Sequence, residues 1–329
     1  MIPEAKRPAV RRALYAAFGV NEYENIRLLT GGLSTALAFR IVVRKNPYLL
    51  KIMRTEVISN PTHEFACQQI AAEAGIAPRI WYSNVEERIL ITDYVEAQPY
   101  PDDLVPLIAP TLRRLHSLPH FPKVVNYFDA IDGFIRRFQA AHLLPESATE
   151  ELFHRYAEVQ KVYPRDDTDF VASHNDLKPQ NILFDGNRIW LVDWESAFLN
   201  DQYADLAVVA NFFVKDEADE EAFLNTYFGE PVGEYRRARF YLMRQAVSMF
   251  YATLLLLEVS RAGMSIDVDM PTPDFREFHQ DLIADKADMM RANAKLQYGM
   301  IHLREALRNM RTPQFEEAVA RVGDFHVGA

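Results

Sequence analysis

The chain has 329 residues, 49% hydrophobic and 25% charged, the composition of an ordinary globular protein with one large or two modest domains. Its formal net charge of −10 argues against a general nucleic-acid binder, which needs a basic surface, and mildly favours a cationic small-molecule partner. Cys67 is the only cysteine, which excludes an intramolecular disulfide and favours a reducing compartment.

The most apolar run of the sequence, 249–257, is too short to cross a bilayer and predicts a buried helix instead. The first twenty residues are basic but lack the apolar stretch of a signal peptide. We therefore expect a cytoplasmic protein without membrane insertion. Cys67 lies among apolar neighbours, which favours a packed helix face over a catalytic nucleophile.

The first third of the chain reads as a small sheet with helices. A basic amphipathic helix is predicted over residues 4–18. Asn60-Pro61 begins a second helix, which Gly75 ends as a C-cap. Runs of β-branched and apolar residues predict five strands, at residues 26–29, 37–43, 48–53, 80–83 and 88–94.

After Val95 the hydrophobic spacing becomes helical. Only residues 181–184 and 188–192 read as extended, and Asp185-Gly186 between them is typical of a hairpin turn. Helices are predicted over residues 102–117, 127–143, 148–162, 220–228, 234–262 and 274–309.

This order predicts an α+β fold with two lobes, divided near Gln98-Pro99. Residues 1–97 would form a small antiparallel β lobe that binds nucleotide, and residues 98–329 a larger helical lobe that carries the catalytic and acceptor-binding residues. A cleft between two lobes is a usual place for a ligand.

The segment from Ser173 to Glu195, SHNDLKPQNILFDGNRIWLVDWE, is suited to phosphoryl transfer. Such a reaction requires a group that orients the acceptor hydroxyl and oxygen ligands that hold Mg²⁺ against the phosphates. Asp176 is the candidate base, although an Asn-Asp pair alone is also a common turn. Asn181 and Asp193 are the candidate Mg²⁺ ligands, at the spacing that this chemistry needs.

Two further features of this segment support that interpretation. Asp193 follows an apolar strand, and an unpaired carboxylate there would be costly to bury, so metal ligation explains it best. Lys178, two residues beyond Asp176, lies within reach of the transferring phosphate as a compensating cation, unless it is a solvated loop lysine.

In the small lobe, Lys51 interrupts the apolar face of the third strand and requires a partner. Glu64 on the next helix is the preferred candidate, and Glu73 is the alternative. A Lys–Glu pair of this kind positions the lysine against the α- and β-phosphates of a nucleotide. Gly31-Gly32, followed by Ser34, is a candidate phosphate-covering turn, although a simple hairpin turn explains a Gly-Gly equally well.

The sequence resembles the choline/ethanolamine kinase and aminoglycoside phosphotransferase group, which shares the protein-kinase-like fold. The resemblance spans Leu28 to about Gly229. Asn175 and Asp193-Trp194-Glu195 resemble the choline kinase form of the motifs. The segments that carry the resemblance are LTGGLSTALAFRI, HEFACQQIAAEAGIAPRI, ILITDYVEAQ, SHNDLKPQNILF and LVDWESAFLNDQYADLA.

The resemblance implies ATP and Mg²⁺ as cofactors, with Asp176 as the base and Asn181 and Asp193 as metal ligands. It also implies that Thr92, Asp93, Tyr94 and Val95 meet the adenine, and that Asp205 braces the catalytic loop. Two departures are Thr35, where choline kinases commonly carry Asn, and Lys51, where some bacterial members carry Arg.

The acceptor is expected to be a small cationic alcohol, with choline, ethanolamine or a similar amino alcohol preferred. Thiamine or an aminoglycoside is the alternative, and a catalytically inactive nucleotide-binding protein is a further one. A quaternary ammonium is held by aromatic rings and nearby carboxylates. The candidates for this role are Trp194, Glu195 and Asp201, with Phe198, Tyr203, Phe212, Phe213, Tyr241, Phe250 and Tyr251 as further aromatics that are individually more typical of core.

Overall fold

The structure, a computed structural model, describes residues 2–29, 36–53, 60–122, 126–166, 170–284 and 286–327. It contains an antiparallel sheet near the N-terminus and a larger, mostly helical part, as the sequence predicts. The division at residues 97 and 98 stays a prediction.

The N-terminal sheet has five antiparallel strands in the order β1-β2-β3-β5-β4. Alternation along β3 turns Leu50 and Ile52 toward α1, where they pack with the ring of Tyr48. Lys51 therefore lies on the opposite face of the sheet, the face that α2 covers. The bounds of these elements are α1 Arg7–Phe18, β1 Asn25–Leu28, β2 Leu37–Val43, β3 Asn46–Ile52, α2 Pro61–Glu73, β4 Ile80–Asn84 and β5 Ile89–Asp93.

Helix α2 joins the sheet to the helical part. Asn60 caps it by accepting from the backbone of His63 at 3.2 Å, with Pro61 in the first turn. Phe65 faces the sheet, whereas Cys67 and Ala71 pack into the core of the helical part. Burial raises the pKa of the Cys67 thiol to about 12, so this cysteine serves packing and not nucleophilic chemistry.

The helical part surrounds the long helix α8, which packs on α4, α6, α10 and α11. Two short antiparallel pairs, β6 with β9 and β7 with β8, lie between α5 and α6 in the sequence. The bounds are α3 Val105–His116, α4 Tyr127–Ala140, α5 Glu146–Val162, β6 Phe170–Ser173, β7 Ile182–Phe184, β8 Ile189–Leu191, β9 Phe198–Asp201, α6 Gln202–Phe213, α7 Glu217–Phe228, α8 Glu234–Arg261, α9 Phe275–Ile283, α10 Ala292–Met310 and α11 Pro313–Val327.

Among the described helices, α8 is long and apolar enough to cross a membrane by length and composition alone. Inside the fold, 72% of its apolar window is buried. Helix α8 is apolar because it packs on four neighbouring helices, as a core helix does.

The structure corrects the prediction of a single helix over residues 274–309. Two helices, α9 and α10, occupy this range, separated by an irregular turn. In that turn the side chain of Asp288 accepts from the backbone N–H of Met290 at 2.9 Å, and its backbone carbonyl accepts from the N–H of Arg291 at 3.0 Å. A side chain that hydrogen-bonds its own backbone in this way competes with helix propagation, although the residues nearby favour a helix.

Strands β6 and β9 and helices α6 and α11 are absent from the sequence prediction. The two strands are four residues each and mostly buried, so they show no alternation of polar and apolar residues. Helix α6 is buried over most of its surface and so lacks a polar stripe. The predicted hairpin over residues 181–192 is confirmed by the antiparallel pairing of β7 with β8.

Two helical glycines give a matched test of this packing. Gly299 on α10 faces α8, and a Cβ there would lie 2.9 Å from Leu256 Cγ. Gly133 on α4 has no neighbour closer than 3.9 Å. Gly299→Ala should lower the free energy of unfolding by about 1–3 kcal/mol because the clash outweighs helix propensity. Gly133→Ala should raise it by up to about 1 kcal/mol.

Urea unfolding followed by circular dichroism measures both changes. Equal effects of the two substitutions, in either direction, would contradict the close approach of α8 and α10 at Gly299.

Candidate active site

The loop that carries Asp176 is held in place by Asp205, a fully buried carboxylate in the first turn of α6. Asp205 accepts from the backbone N–H groups of His174 at 2.8 Å and Asn175 at 2.7 Å. His116 on α3 also contacts Asp205, at 3.1 Å. Burial alone would raise the pKa of Asp205, but these hydrogen bonds and the nearby histidines lower it below its usual value. The bracing role implied for Asp205 is thus confirmed by its contacts.

Asn175 links the catalytic loop to the segment that follows Asp193. Its backbone is left-handed, with φ of 63°, a conformation that Asn tolerates better than most residues. The side-chain Nδ2 donates to the carbonyl of Ser196 at 3.1 Å, and Oδ1 accepts from Asn200 at 2.6 Å. Through these contacts Asn175 connects the loop that carries Asp176 to residues 196–200.

Asp176, Lys178 and Asn181 lie together on this loop. Lys178 Nζ is 2.6 Å from Asp176 Oδ2, and the amide nitrogen of Asn181 donates to the same oxygen at 2.9 Å. The backbone N–H of Val192 donates to the carbonyl of Asn181 at 3.0 Å. The end of β8, and with it Asp193, is thereby fixed beside the catalytic loop.

Lys51 connects this loop region to the N-terminal sheet. Its Nζ lies 2.7 Å from Glu64 Oε1 on α2 and 2.9 Å from Asp193 Oδ1. Burial alone would lower the pKa of Lys51, but Asp193 and then Glu64 raise it above its usual value. The expected Lys51–Glu64 pair is present, whereas the competing Glu73 is exposed and is bound by Gln69 at 2.7 Å.

The oxygen donors at this position fit a hard divalent cation. The pKa of Glu195 is raised, first by desolvation and then by repulsion from Asp193, because several carboxylates lie close together beside Lys51. Glu64 Oε2 is buried and has no hydrogen-bond partner among the described residues. In the described part of the chain, no cluster of three His, Cys, Asp or Glu side chains forms a ready-made metal cage. A cation held by Asn181 and Asp193 would therefore complete its coordination with ligand oxygens, as Mg²⁺ does beside phosphates.

The segment expected to meet adenine leaves the sheet at the end of β5. Thr92 is buried, and its Oγ1 donates to the carbonyl of Asp93 at 3.1 Å. Asp93 accepts from Trp81 Nε1 at 2.7 Å, and Arg40 lies over the ring of Tyr94. Tyr94 and Val95 are half-buried beyond the strand. The predicted phosphate-covering residues Gly31, Gly32 and Ser34 lie outside the described residues.

Two of the predicted acceptor-binding residues belong to the core. Trp194 is fully buried, packs on His174 and Phe121, and donates to the carbonyl of Leu191 at 3.2 Å. Its burial leaves no surface for a substrate, so the expected acceptor role is wrong.

Asp201 is also buried and fully engaged. Arg239 Nη2 lies 2.7 Å from its Oδ2, Tyr163 donates to the same atom at 3.0 Å, and the backbone of Tyr203 donates to Oδ1 at 2.9 Å. Asp201 therefore caps α6 and neutralises a buried arginine, and it does not serve as an open substrate carboxylate. Glu195 is exposed near Asp193 and stays a candidate.

The sequence reasoning missed Tyr100, His116 and Asn200. Tyr100 donates to the carbonyls of Pro179 at 2.7 Å and Ile182 at 2.5 Å, which flank Asn181. Asn200 contacts the side chain of Asn175, and His116 contacts Asp205, the carboxylate that holds the loop; both partners are distant in sequence. Tyr100 reaches the loop through backbone carbonyls. No local spacing signals such a partner.

Comparisons with known proteins agree with this geometry. The family model described as the phosphotransferase enzyme family matches residues 25–241. Protein LicA of Haemophilus influenzae is 25% identical over 132 residues, which cover 38% of this chain and 37% of that protein. The chain thus matches well under half the length of this relative.

Solved structures match over a larger share of the fold. The choline/ethanolamine kinase family protein of Mesorhizobium loti has a TM-score of 0.69 at 21% identity, over 97% of this chain and 99% of that chain. The choline kinase LicA of Streptococcus pneumoniae has a TM-score of 0.57 at 18% identity, over 89% and 99%. A ternary complex of APH(2'')-IIa with streptomycin and ATP has a TM-score of 0.59 at 14% identity, over 78% and 91%. At these identities the likeness shows the fold.

The repulsion between Glu195 and Asp193 predicts a pH-dependent stability. Because the pKa of Glu195 is raised in the folded state, its ionised form opposes folding at neutral pH and ceases to do so once protonated. Glu195→Gln should raise Tm at pH 7 in metal-free buffer, with a gain that disappears as the pH falls below the carboxyl pKa. Calorimetry at several pH values measures this. Glu150→Gln, an exposed change on α5, is the control and should leave Tm unchanged at each pH.

Proposed function

The chain belongs to the phosphotransferase enzyme family, and on that premise we propose that it is a small-molecule kinase. It uses ATP and Mg²⁺ to transfer the γ-phosphate to the hydroxyl of choline, ethanolamine or a similar amino alcohol. The observation that carries this proposal is the position of Lys51, which contacts Glu64 from the N-terminal side and Asp193 from the helical side. That arrangement joins a nucleotide-orienting pair to a metal ligand.

Asp176 would orient the acceptor hydroxyl and accept its proton as the oxygen attacks the γ-phosphorus. Lys178 lies against one oxygen of Asp176, which leaves the other, Oδ1, as the atom that can accept this proton. The same lysine is a cation beside the transferring group, where negative charge spreads over the phosphoryl oxygens.

Asn181 and Asp193 would hold Mg²⁺. When bound, the ion neutralises charge on the β- and γ-phosphate oxygens. Lys51, positioned by Glu64, would approach the α- and β-phosphates. The backbone of residues 92–95 would meet the adenine, with Gly31, Gly32 and Ser34 over the phosphates.

For the acceptor, a small cation fits the net charge of the chain, and half-buried aromatic rings such as Phe198 and Tyr251 and the exposed carboxylate of Glu195 are the side chains that would hold it. The structural neighbours include proteins named for choline and for ethanolamine, and Asn175 and Glu195 follow the choline kinase form. Aminoglycoside phosphotransferases share the fold as well, so an aminoglycoside is the second candidate. We place the protein in the cytoplasm, where its single thiol stays reduced.

A panel of acceptors tests the proposed substrate. ADP release from Mg²⁺-ATP should rise at least about tenfold over the rate without acceptor when choline or ethanolamine is added. Thiamine and aminoglycosides should raise it less. A larger stimulation by an aminoglycoside would reverse the preference, and binding of Mg²⁺-ATP without stimulation by any alcohol would favour an inactive nucleotide-binding protein.

The role of Asp176 has a separate test. Asp176→Asn keeps the shape of the side chain but cannot take a proton, so the acceptor-dependent kcat should fall by about 10²–10⁴-fold. The affinity for Mg²⁺-ATP, measured by calorimetry, should change little. Asp324→Asn, an exposed change on α11, is the control and should keep the wild-type rate. Near-normal turnover by Asp176→Asn would show that Asp176 is not the base.

A further inference from the structure

A cavity lies beside the loop that carries Asp176, between residues 100–104, the C-terminal end of α6 and helix α9. Its volume is about 330 Å³, within the range of small-molecule sites. We propose that this cavity binds a small anion, a carboxylate or a phosphate, carried on a flat apolar body, and that its occupancy alters catalysis. The binding itself does not depend on the kinase activity proposed above.

The walls of the cavity favour a flat apolar body. Tyr100 and Phe213 meet edge to face with their ring centroids 5.2 Å apart. The rings of Phe212 and His279 also meet edge to face, with their centroids 4.7 Å apart. Burial lowers the pKa of His279 to about 4, so this ring is neutral at physiological pH and behaves as an aromatic wall. Aromatic surfaces of this kind stack on planar ligands.

Asn211 provides an unused hydrogen-bond donor in the lining. Its side chain is only 4% exposed, and its Oδ1 accepts from Arg244 Nε at 3.3 Å. Because a guanidinium can only donate, this contact fixes which end of the amide faces Arg244. The opposite atom, Nδ2, is buried, and the part of the chain that the structure describes offers it no hydrogen-bond partner. An unsatisfied buried donor costs about 1–3 kcal/mol, and a ligand oxygen would supply the missing acceptor.

Two cations at the rim favour an anionic group. Lys215 Nζ donates to the backbone carbonyl of Asp102 at 2.7 Å, and Arg276 Nη1 donates to the carbonyl of Val214. Among the described residues, neither has a carboxylate within 4.0 Å. The carboxylate of Asp102 also lines the cavity, so the lining carries one negative and two positive side chains. Desolvation and then repulsion from Arg244 lower the pKa of Arg276, against the opposing effect of the carboxylates of Glu305, Asp274 and Asp216.

The cavity is physically connected to the catalytic loop on two sides. Tyr100 donates to the carbonyls of Pro179 and Ile182, on either side of Asn181. On the α9 side, Gln180 Nε2 donates to the carbonyl of Leu282, next to the lining residue Ile283. A ligand that shifts Tyr100 or α9 would therefore shift the loop that carries Asn181. Such a shift couples occupancy of the cavity to turnover.

Calorimetric titration of the full chain with phenyl phosphate and with benzoate tests the binding. Benzyl alcohol serves as the neutral probe. Both anions should bind the wild type, and benzyl alcohol should bind at least about tenfold more weakly. Lys215→Met and Arg276→Met should each weaken anion binding about tenfold. The control Lys161→Met, on α5 away from the cavity, should not change it. Thermal unfolding of each variant confirms that it is folded.

Coupling is then measured as the effect of saturating benzoate on turnover. Benzoate is expected to change the kcat of the wild type and of Lys161→Met, and to leave the kcat of Lys215→Met unchanged.

Failure of both anions to bind, equal binding of the neutral probe, or unchanged binding in both cavity variants would each refute the proposal. Complete displacement of phenyl phosphate by choline would also refute it, because the cavity would then be part of the acceptor site. A protein that binds phenyl phosphate here but phosphorylates no alcohol would refute the proposed kinase activity alone.

Discussion

Lys51 is the point at which three separate parts of the chain meet: β3, which carries it, α2 through Glu64, and the end of β8 through Asp193. A buried charge is tolerated only when it is paired, and removal of one partner from such a pair typically costs about 3–5 kcal/mol. The contact between the N-terminal sheet and the segment carrying Asp193 therefore depends on one ammonium group. With two carboxylates around it and a third, Glu195, nearby, the cluster holds more negative than positive charge. That excess gives a divalent cation an electrostatic reason to bind there.

The loop that carries Asp176 depends on a different buried carboxylate. Asp205 holds two successive backbone N–H groups, which fixes the path of the chain into Asp176. Asn175 and Asp193 both adopt left-handed backbone conformations, with φ of 63° and 67°. Such conformations cost of order 1–3 kcal/mol for residues other than glycine and persist only where the surroundings enforce them. The contacts that enforce them are those of Asn175 with Asp205 and Asn200 and that of Asp193 with Lys51. The backbone strain therefore occurs at the residues that these contacts hold.

The residues of this site that could be predicted from the sequence are those marked by a pattern of neighbouring residues. The spacing of Asp176, Asn181 and Asp193 and the interrupted apolar face at Lys51 predicted side chains that the structure places on one connected network. The five strands of the N-terminal sheet followed from β-branched runs and turn residues, within one or two positions of their observed bounds.

By contrast, Trp194 and Asp201 were assigned to the acceptor because aromatic and carboxylate residues suit a cation. Their burial depends on packing against Phe121 and Arg239, which lie far away in sequence and leave no periodic signal. The break between α9 and α10 depends on a side-chain turn at Asp288 that helix propensity alone does not reveal.

The two positions proposed for ligands differ in the net charge of the side chains around them. Around Lys51 the carboxylates of Glu64, Asp193 and Glu195 outnumber the one ammonium group, whereas the lining beside α9 carries the two cations Lys215 and Arg276 and the one carboxylate of Asp102. A ligand selected by charge at one position is disfavoured at the other, because like charges at short range repel by amounts comparable to a hydrogen bond. Residues 179–182 lie between the two positions and are bound from the basic side by Tyr100. An anion at the basic rim can therefore change the geometry of Asn181 without competing for the acceptor position, which is the physical requirement for coupling between distinct sites.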